Sequence, residues 1–311
     1  MKKIFLLILS AIVTCPLTAQ QQFDITKPMF GEAENDERLK KLTEDTRKMA
    51  LEQFGNIDSA VFNRINEAWV LFCQNDMETA MRRFNQAWML NPEFPDAYFG
   101  FAALLDMQGK DAEAIRFYLL GAEKDRQNRR SIACYQQIAA CKEQLNDLKG
   151  AIDALLKIRI FIPADAPYNK KLGYLYMKNG NNISALEAFN KAIELDSLDA
   201  TTFYYRASVH QALEDNLKAI IDYTNCVVLD STYTAAYVNR GILEMYRDYY
   251  EFGKQDFETA ISIDSKSGQI WRLLGISKLS LNDREGACED FKTAKELGDS
   301  DADALIEKYC K

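Results

Sequence analysis

The stretch Lys171–Asp196, KLGYLYMKNGNNISALEAFNKAIELD, decides how this chain folds. Within it Ala185, Phe189 and Ala192 fall at i, i+4 and i+7, which sets them on one face of a helix. Twelve residues ahead of Ala185 stands Gly173, inside a second helical run that carries Leu172, Tyr174 and Tyr176. Asn179-Gly180-Asn181 separates the runs, a turn-former followed by an N-cap residue. The stretch therefore reads as two helices joined by a tight turn.

The same pattern recurs along the chain. Ala80, Ala114, Ala151, Ala185, Ala219, Gly253 and Ala287 stand at successive spacings of 34, 37, 34, 34, 34 and 34 residues. Four residues after each comes Phe84, Tyr118, Leu155, Phe189, Tyr223, Phe257 or Phe291. Three further on are Ala87, Gly121, Ile158, Ala192, Cys226, Ala260 and Ala294. Twelve residues before each anchor is another small residue: Ala68, Ala102, Ala139, Gly173, Ala207, Gly241 or Gly275. A small side chain there lets two helices approach closely. Asn75-Asp76, Gln108-Gly109-Lys110 and Asn282-Asp283 repeat the turn. Internal periodicity of this length is the signature of a helical array.

The pattern resembles the tetratricopeptide repeat. Leu172-Gly173, Tyr176, Gly180, Ala185, Phe189 and Ala192 carry the resemblance most clearly. Trp271, Leu274-Gly275, Ala287, Phe291 and Ala294 repeat it, and Ala80, Phe84, Ala87 and Pro92 close the first unit. The resemblance implies an all-α, right-handed α-solenoid of about seven helix-turn-helix units over residues 61–299. The units are expected at 61–94, 95–128, 132–165, 166–199, 200–233, 234–267 and 268–299. A capping helix is expected at each end, over 34–56 and 300–311, because terminal units must cover an apolar face. The joint between units two and three is three residues too long. Its basic cluster, Lys124, Arg126, Arg129 and Arg130, reads as a solvated loop. Units five and six replace the usual Leu before the small residue with Arg206 and Arg240, and Asp222 and Asp256 stand sixteen residues later. An Arg–carboxylate pair joining the two helices of one unit is the expectation.

The N-terminus reads as an export signal over residues 1–19. Lys2 and Lys3 precede an eleven-residue apolar run, Ile4 to Thr14, too short to span a bilayer. A cleavage site around Ala19-Gln20 makes the protein exported, periplasmic or associated with a bacterial envelope. Cys15, after Ile12-Val13-Thr14, offers the alternative of a lipid anchor, hence an outer-membrane lipoprotein. Residues 20–33 read as a flexible tail. No other segment is apolar enough for a transmembrane span.

Composition narrows the function classes. The chain's net charge of −8 becomes −10 on loss of residues 1–19, which removes two lysines and no acid. An acidic array repels phosphate backbones, so no nucleic acid is expected as a partner. Six cysteines remain after export. Cys134 and Cys141 lie about 10 Å apart along one helix, too far to bridge, and Cys288 with Cys310 is the pair to test for oxidation. The single histidine, His210, reads as a structural side chain without a metal set. There is no phosphate loop and no dinucleotide fingerprint. No cofactor, no metal and no catalytic group is expected.

What remains is a surface. In the family the first helices line a concave wall that binds partners. The stripe beside the packing face presents Lys170, Tyr174, Met177 and Lys178 in unit four and Tyr204 and Gln211 in unit five. Ile242, Met245 and Tyr246 follow in unit six, and Arg272 in unit seven. Tyr and Met suit adaptable protein or peptide recognition. The resemblance thus implies a non-catalytic protein-interaction scaffold. The alternatives are an exported enzyme or ligand-binding protein with a site inside the superhelix, and a self-associating structural module. The basic clamp of chaperone-binding members is not expected, because Tyr174 stands where they carry Asn.

Overall fold

A computed structural model of the 311-residue chain describes residue 24 and residues 26–32, 37–125 and 130–311. The expected signal, Cys15, Arg126 and Arg129 lie outside the described residues. Within them every regular element is a helix, and none is long and apolar enough to cross a membrane. The described helices fall into two compact bodies, divided between Phe161 and Ile162.

In the first body α1 (Glu37–Phe54) precedes three pairs: α2 (Ile57–Cys73) with α3 (Met77–Leu90), α4 (Pro95–Met107) with α5 (Asp111–Lys124), and α6 (Ser131–Gln144) with α7 (Leu148–Ile158). The second body holds four pairs. These are α8 (Ala166–Lys178) with α9 (Asn182–Leu195), α10 (Ala200–Ala212) with α11 (Asn216–Leu229), α12 (Thr234–Tyr246) with α13 (Tyr250–Ile263), and α14 (Gly268–Ser280) with α15 (Arg284–Glu296). A short α16 (Ala302–Tyr309) closes it. Within each body the second helix of a pair also packs on the first helix of the next. That is the nearest-neighbour stacking by which repeat arrays build a continuous core.

The turn inside each pair has one chemistry. Asn75, Gly109, Asn146, Gly180, Glu214, Asp248 and Asn282 all take a left-handed backbone, with φ between 59° and 77°. In five of the seven turns the next residue caps the second helix. The side chains of Asp76, Asp147, Asn181, Asp215 and Asp283 accept from the backbone N–H of Thr79, Gly150, Ser184, Lys218 and Gly286. Each cap satisfies an N–H that the helix itself leaves unpaired.

The repeat columns are the core. Ala80, Ala114, Ala151, Ala185, Ala219 and Ala287 are fully buried, as are Phe84, Phe189, Tyr223, Phe257 and Phe291. Burying each such ring contributes roughly 1.5–3 kcal/mol. The small residue twelve positions before the anchor makes room for the ring. A Cβ on Gly275 would lie 2.5 Å from the Phe291 ring, and one on Gly173 would lie 2.8 Å from Phe189. The close approach is therefore between a helix backbone and an aromatic face sixteen residues on.

The ends differ from the expectation in one respect. A free tail over 20–33 is corrected by the structure at residues 26–32. Pro28, Met29 and Phe30 are buried there. The carboxamide of Asn85, itself 0% exposed on α3, donates to the Lys27 carbonyl at 2.9 Å and accepts from the Phe30 N–H at 3.3 Å. Two apolar side chains and a buried polar partner outweigh the polar composition around them. At the other end α16 is held by a disulfide between Cys288 and Cys310. The guanidinium of Arg284 also donates to the carbonyls of Tyr309 and Lys311. Of the free cysteines among the described residues, Cys73 is exposed, whereas Cys134, Cys141 and Cys226 are buried and burial pushes each of those three thiols up to about 12.

Candidate protein-binding surface

The expected stripe on α8, α10, α12 and α14 divides by what its side chains touch. Lys170, Tyr204 and Arg272 occupy one repeat position and reach the turn that follows their own pair. The Lys170 ammonium lies 2.8 Å from Asp199, whose carboxylate also caps α10. The Tyr204 ring stacks on Tyr233 with centroids 4.9 Å apart. Arg272 sits 2.9 Å from Asp299 and 3.5 Å from Asp301. These three side chains are engaged in the joints that set one unit on the next. Ile242 and Met245 pack against a core cluster around Phe257 and Leu274.

Gln211 belongs to a hydrogen-bonded group around the buried Tyr223. The Tyr223 hydroxyl donates to Gln211 Oε1 at 3.0 Å and lies 3.3 Å from the Ser208 hydroxyl. Asn239 donates to both Tyr223 and Tyr204. Burial raises the Tyr223 pKa, so the ring stays neutral. The outer members are different. Tyr246 is 79% exposed. Tyr174 is half-buried, with the ammonium groups of Lys171 and Lys178 5.3 and 5.4 Å from its ring centre and Tyr205 against its side. Met177 packs at the edge of the cluster formed by Ala185, Phe189 and Val209.

The Arg–Asp pairs expected in units five and six are present. Arg206 binds Asp222 through two hydrogen bonds of 2.7 Å, and Arg240 binds Asp256 through bonds of 2.9 and 2.6 Å. Each guanidinium also donates backwards, Arg206 to Asn190 and Arg240 to Thr224. One cation thus ties three helices, which a simple intra-unit pair would not. Unit seven keeps the carboxylate as Asp290 and draws its cation from Lys278, at 2.7 Å. His210 lies 3.9 Å from Asp222, and burial lowers its pKa against the pull of that carboxylate. The imidazole is neutral and structural.

Two features lie outside the expected stripe. Donor atoms of Asp106, Asp111 and Cys141 fall within 4.8 Å of one another. Burial and the neighbouring carboxylates of Asp106 and Asp111 push the Cys141 thiol up to about 12, so it stays protonated in this arrangement. The second feature is a groove of about 1000 Å³ in the first body. Phe62, Asn66 and Trp69 line it from α2 at i, i+4 and i+7, and Phe94, Pro95 and Asp96 line it from the start of α4. Phe62 is 61% exposed. Trp69 stands edge-on to Phe84 and Phe72. At the rim Arg130 pairs with Asp96 at 2.7 Å and Lys124 with Glu93 at 2.7 Å. Burial raises the Asp96 pKa, and Arg130 offsets part of that rise. Trp69 holds the same repeat position as Tyr174, so the stripe extended to unit one would have found this groove.

Comparison with known proteins agrees with the helix pairs. Tetratricopeptide-repeat models match residues 71–133 and 168–197. The chain is built of tetratricopeptide repeats. The solved C-terminal part of a TPR repeat-containing protein from Cytophaga hutchinsonii superposes with a TM-score of 0.66 at 16% identity, covering 76% of this chain and 96% of that one. A crystal structure of MamA protein superposes with a TM-score of 0.52 at 25% identity, covering 56% of this chain and 95% of that one. Among curated proteins, a DnaJ homolog subfamily C member 7 homolog of Dictyostelium discoideum is 29% identical over 115 residues, 36% of this chain and 21% of that protein. The chain spans about a fifth of the length of the curated relatives it matches first. The groove in the first body lies between α2 and α4, the first helices of two successive pairs.

Proposed function

We propose that this repeat protein is a non-catalytic scaffold in a bacterial envelope, and that it holds an extended or helical segment of a protein partner along its first helices. The observation that carries this reading is the groove between α2 and α4. It offers an exposed aromatic, Phe62, a second aromatic beside it, Trp69, and a polar rim of paired charges. Its lining sets the apolar Phe62, Ile65, Trp69, Phe94 and Pro95 among a larger number of polar and charged side chains, and a groove of that mixture binds segments by burying one or two anchor side chains. In the other body the exposed Tyr246 on α12 and the half-buried Tyr174 on α8 are the candidate contact residues. Export is supported by the basic and apolar leader and by the Cys288–Cys310 disulfide, which persists in oxidising compartments. The mass of the mature N-terminus separates cleavage near Ala19 from lipidation at Cys15.

The test is selection of a random peptide-display library against the immobilised full chain. Recovered peptides should carry apolar or aromatic anchors and should bind at least about tenfold more weakly to the Phe62→Asp chain, the loss of one buried anchor. Leu119→Asp, which changes an exposed leucine on a second helix, should leave them unaffected. Peptides that bind both variants equally well would remove the groove from the proposal.

A further inference from the structure

The walls of the groove between α2 and α4 carry an imbalance of charge. Four carboxylates line it, Asp58, Glu93, Asp96 and Asp125, against two cations, Lys124 and Arg130. Both cations are already engaged. Lys124 lies 2.7 Å from Glu93, and the Arg130 guanidinium lies 2.7 Å from Asp96. Asp58 and Asp125 are left without a cationic partner among the described residues. Asp58 is exposed in the first turn of α2, where water solvates it. Asp125 directly follows α5 and is only 6% exposed. Its Oδ2 accepts from the Arg130 backbone N–H at 2.8 Å, and its Oδ1 has no partner among the described residues. Burial raises the Asp96 pKa, Arg130 opposes the rise, and the charge of Asp125 adds to it. Two carboxylates thus stand close together around one guanidinium. A buried carboxylate is costly unless it is paired, and the groove wall leaves one unpaired.

A cationic side chain entering the groove would supply the missing partner. The same groove presents Phe62 and Trp69, two turns apart on α2 and so about 10 Å apart along its axis. Aromatic faces attract ammonium and guanidinium groups. The stems of Lys and Arg cover apolar surface while their heads reach polar partners. The volume of about 1000 Å³ stands at the upper end for a small-molecule site, and one inorganic ion or one amine leaves most of it empty. A stretch of chain with several side chains fills it.

We propose that the groove selects basic segments: its occupant is a stretch of a partner protein that sets a lysine or arginine against Asp125 and Asp58 and an apolar neighbour on Phe62 and Trp69. This rests on the reading of the groove as a partner-binding surface and adds which partners it accepts. Charge complementarity decides the selection, because opposite charge speeds encounter and like charge excludes wrong partners. An acidic segment would bring a third carboxylate to two that already lack a cation.

The experiment uses the full chain and a random peptide-display library in which acidic and basic residues are equally frequent. Recovered peptides should carry Lys and Arg in excess of Asp and Glu. A recovered peptide, fluorescently labelled, is then titrated by anisotropy against the wild-type, Asp58→Asn, Asp125→Asn and Phe62→Ala chains. Asp125→Asn should weaken binding at least about tenfold, the loss of one charge-assisted contact, and the exposed Asp58→Asn about threefold. Asn at position 125 still accepts from the Arg130 N–H, and circular dichroism shows that each variant is folded. Changing the basic residue of the peptide to Gln should cost about tenfold on the wild type and almost nothing on the Asp125→Asn chain. Peptides that need Phe62 but show no basic excess, or that bind both Asp→Asn chains as tightly as the wild type, would overturn the charge selection and leave the groove a binding surface. Peptides indifferent to Phe62→Ala would remove the groove itself, and this inference with it. Spermidine that alone binds as tightly as the peptides would assign the carboxylates to a free amine and overturn the segment.

Discussion

If each glycine before its anchor exists to admit an aromatic ring sixteen residues on, then Gly275→Ala must be harmful although alanine is the better helix former. A Cβ at this site would stand 2.5 Å from one carbon of the Phe291 ring, 2.7 Å from the next and 3.1 Å from the Ala287 carbonyl. Phe291 is 0% exposed, so its ring has nowhere to retreat. Overpacking of this kind costs about 1–3 kcal/mol. The substitution removes the backbone entropy penalty of Gly in a helix, which returns about 0.5–1 kcal/mol. Because Gly275 has the shortest contact of the three glycines compared, the upper half of the overpacking range applies, and the net is a loss of about 1–2.5 kcal/mol, or about 2–10 °C in the melting of a body of this size. At Gly173 and Gly241 the corresponding distances are 2.8 and 2.9 Å, and the two effects should nearly cancel. Thermal melts followed by circular dichroism give the order, with Gly275→Ala the most harmful of the three. Phe291→Leu, itself destabilising, should cost less in the Gly275→Ala background than alone, because the ring that clashes is gone. A neutral or stabilising Gly275→Ala, or strict additivity with Phe291→Leu, would refute the reasoning.

Three further outcomes follow from other parts of the array. Breaking the Cys288–Cys310 bond, by a dithiol or by Cys288→Ser, frees a link of sequence separation 22 and should cost α16 about 3 kcal/mol. Hydrogen exchange should then quicken over residues 302–310 and stay unchanged in α8 to α13, whereas uniform loss across the body would count against a local cap. Glu214 holds a left-handed backbone where the matching turn of unit four has Gly180. Glu214→Gly should therefore stabilise the chain by about 0.5–1 kcal/mol in a melt, and a destabilised variant would show that the side chain holds the turn. His210 has a folded pKa below its ordinary 6.5, so the unfolded chain binds the proton more readily. Stability should be full above pH 6.5 and fall as pH drops from there toward the lower folded pKa. His210→Gln should flatten that slope in denaturant titrations at pH 5.5 to 7, and an unchanged slope would assign it to other groups.

The helix pairs were legible because their signal is local and repeated. Ala185 and Phe189 are read from four residues, and the 34-residue step multiplies the evidence. The Arg206–Asp222 pair was legible for a related reason, since a fixed register predicts which helices face each other, whereas Cys288 and Cys310 stood out only as a pair to test, Cys310 lying beyond the last repeat. The fate of Lys170 and Arg272 was not. Their partners Asp199 and Asp299 lie 29 and 27 residues on, off the repeat step, and sequence gives no sign of where a turn of the next unit points. The docked turn was hidden for another reason. Pro28, Met29 and Phe30 have no helical period, and their partner Asn85 is more than fifty residues away. The groove at Phe62 and Trp69 was within reach, because it continues a stripe already drawn in unit four.

The most direct test of a partner-binding groove is photocrosslinking in the native host with a benzoylphenylalanine placed at position 62 or, as a control, at position 119. A discrete crosslinked protein at position 62, and none at 119, is the predicted result. No adduct at position 62, or the same adducts from both positions, would contradict it.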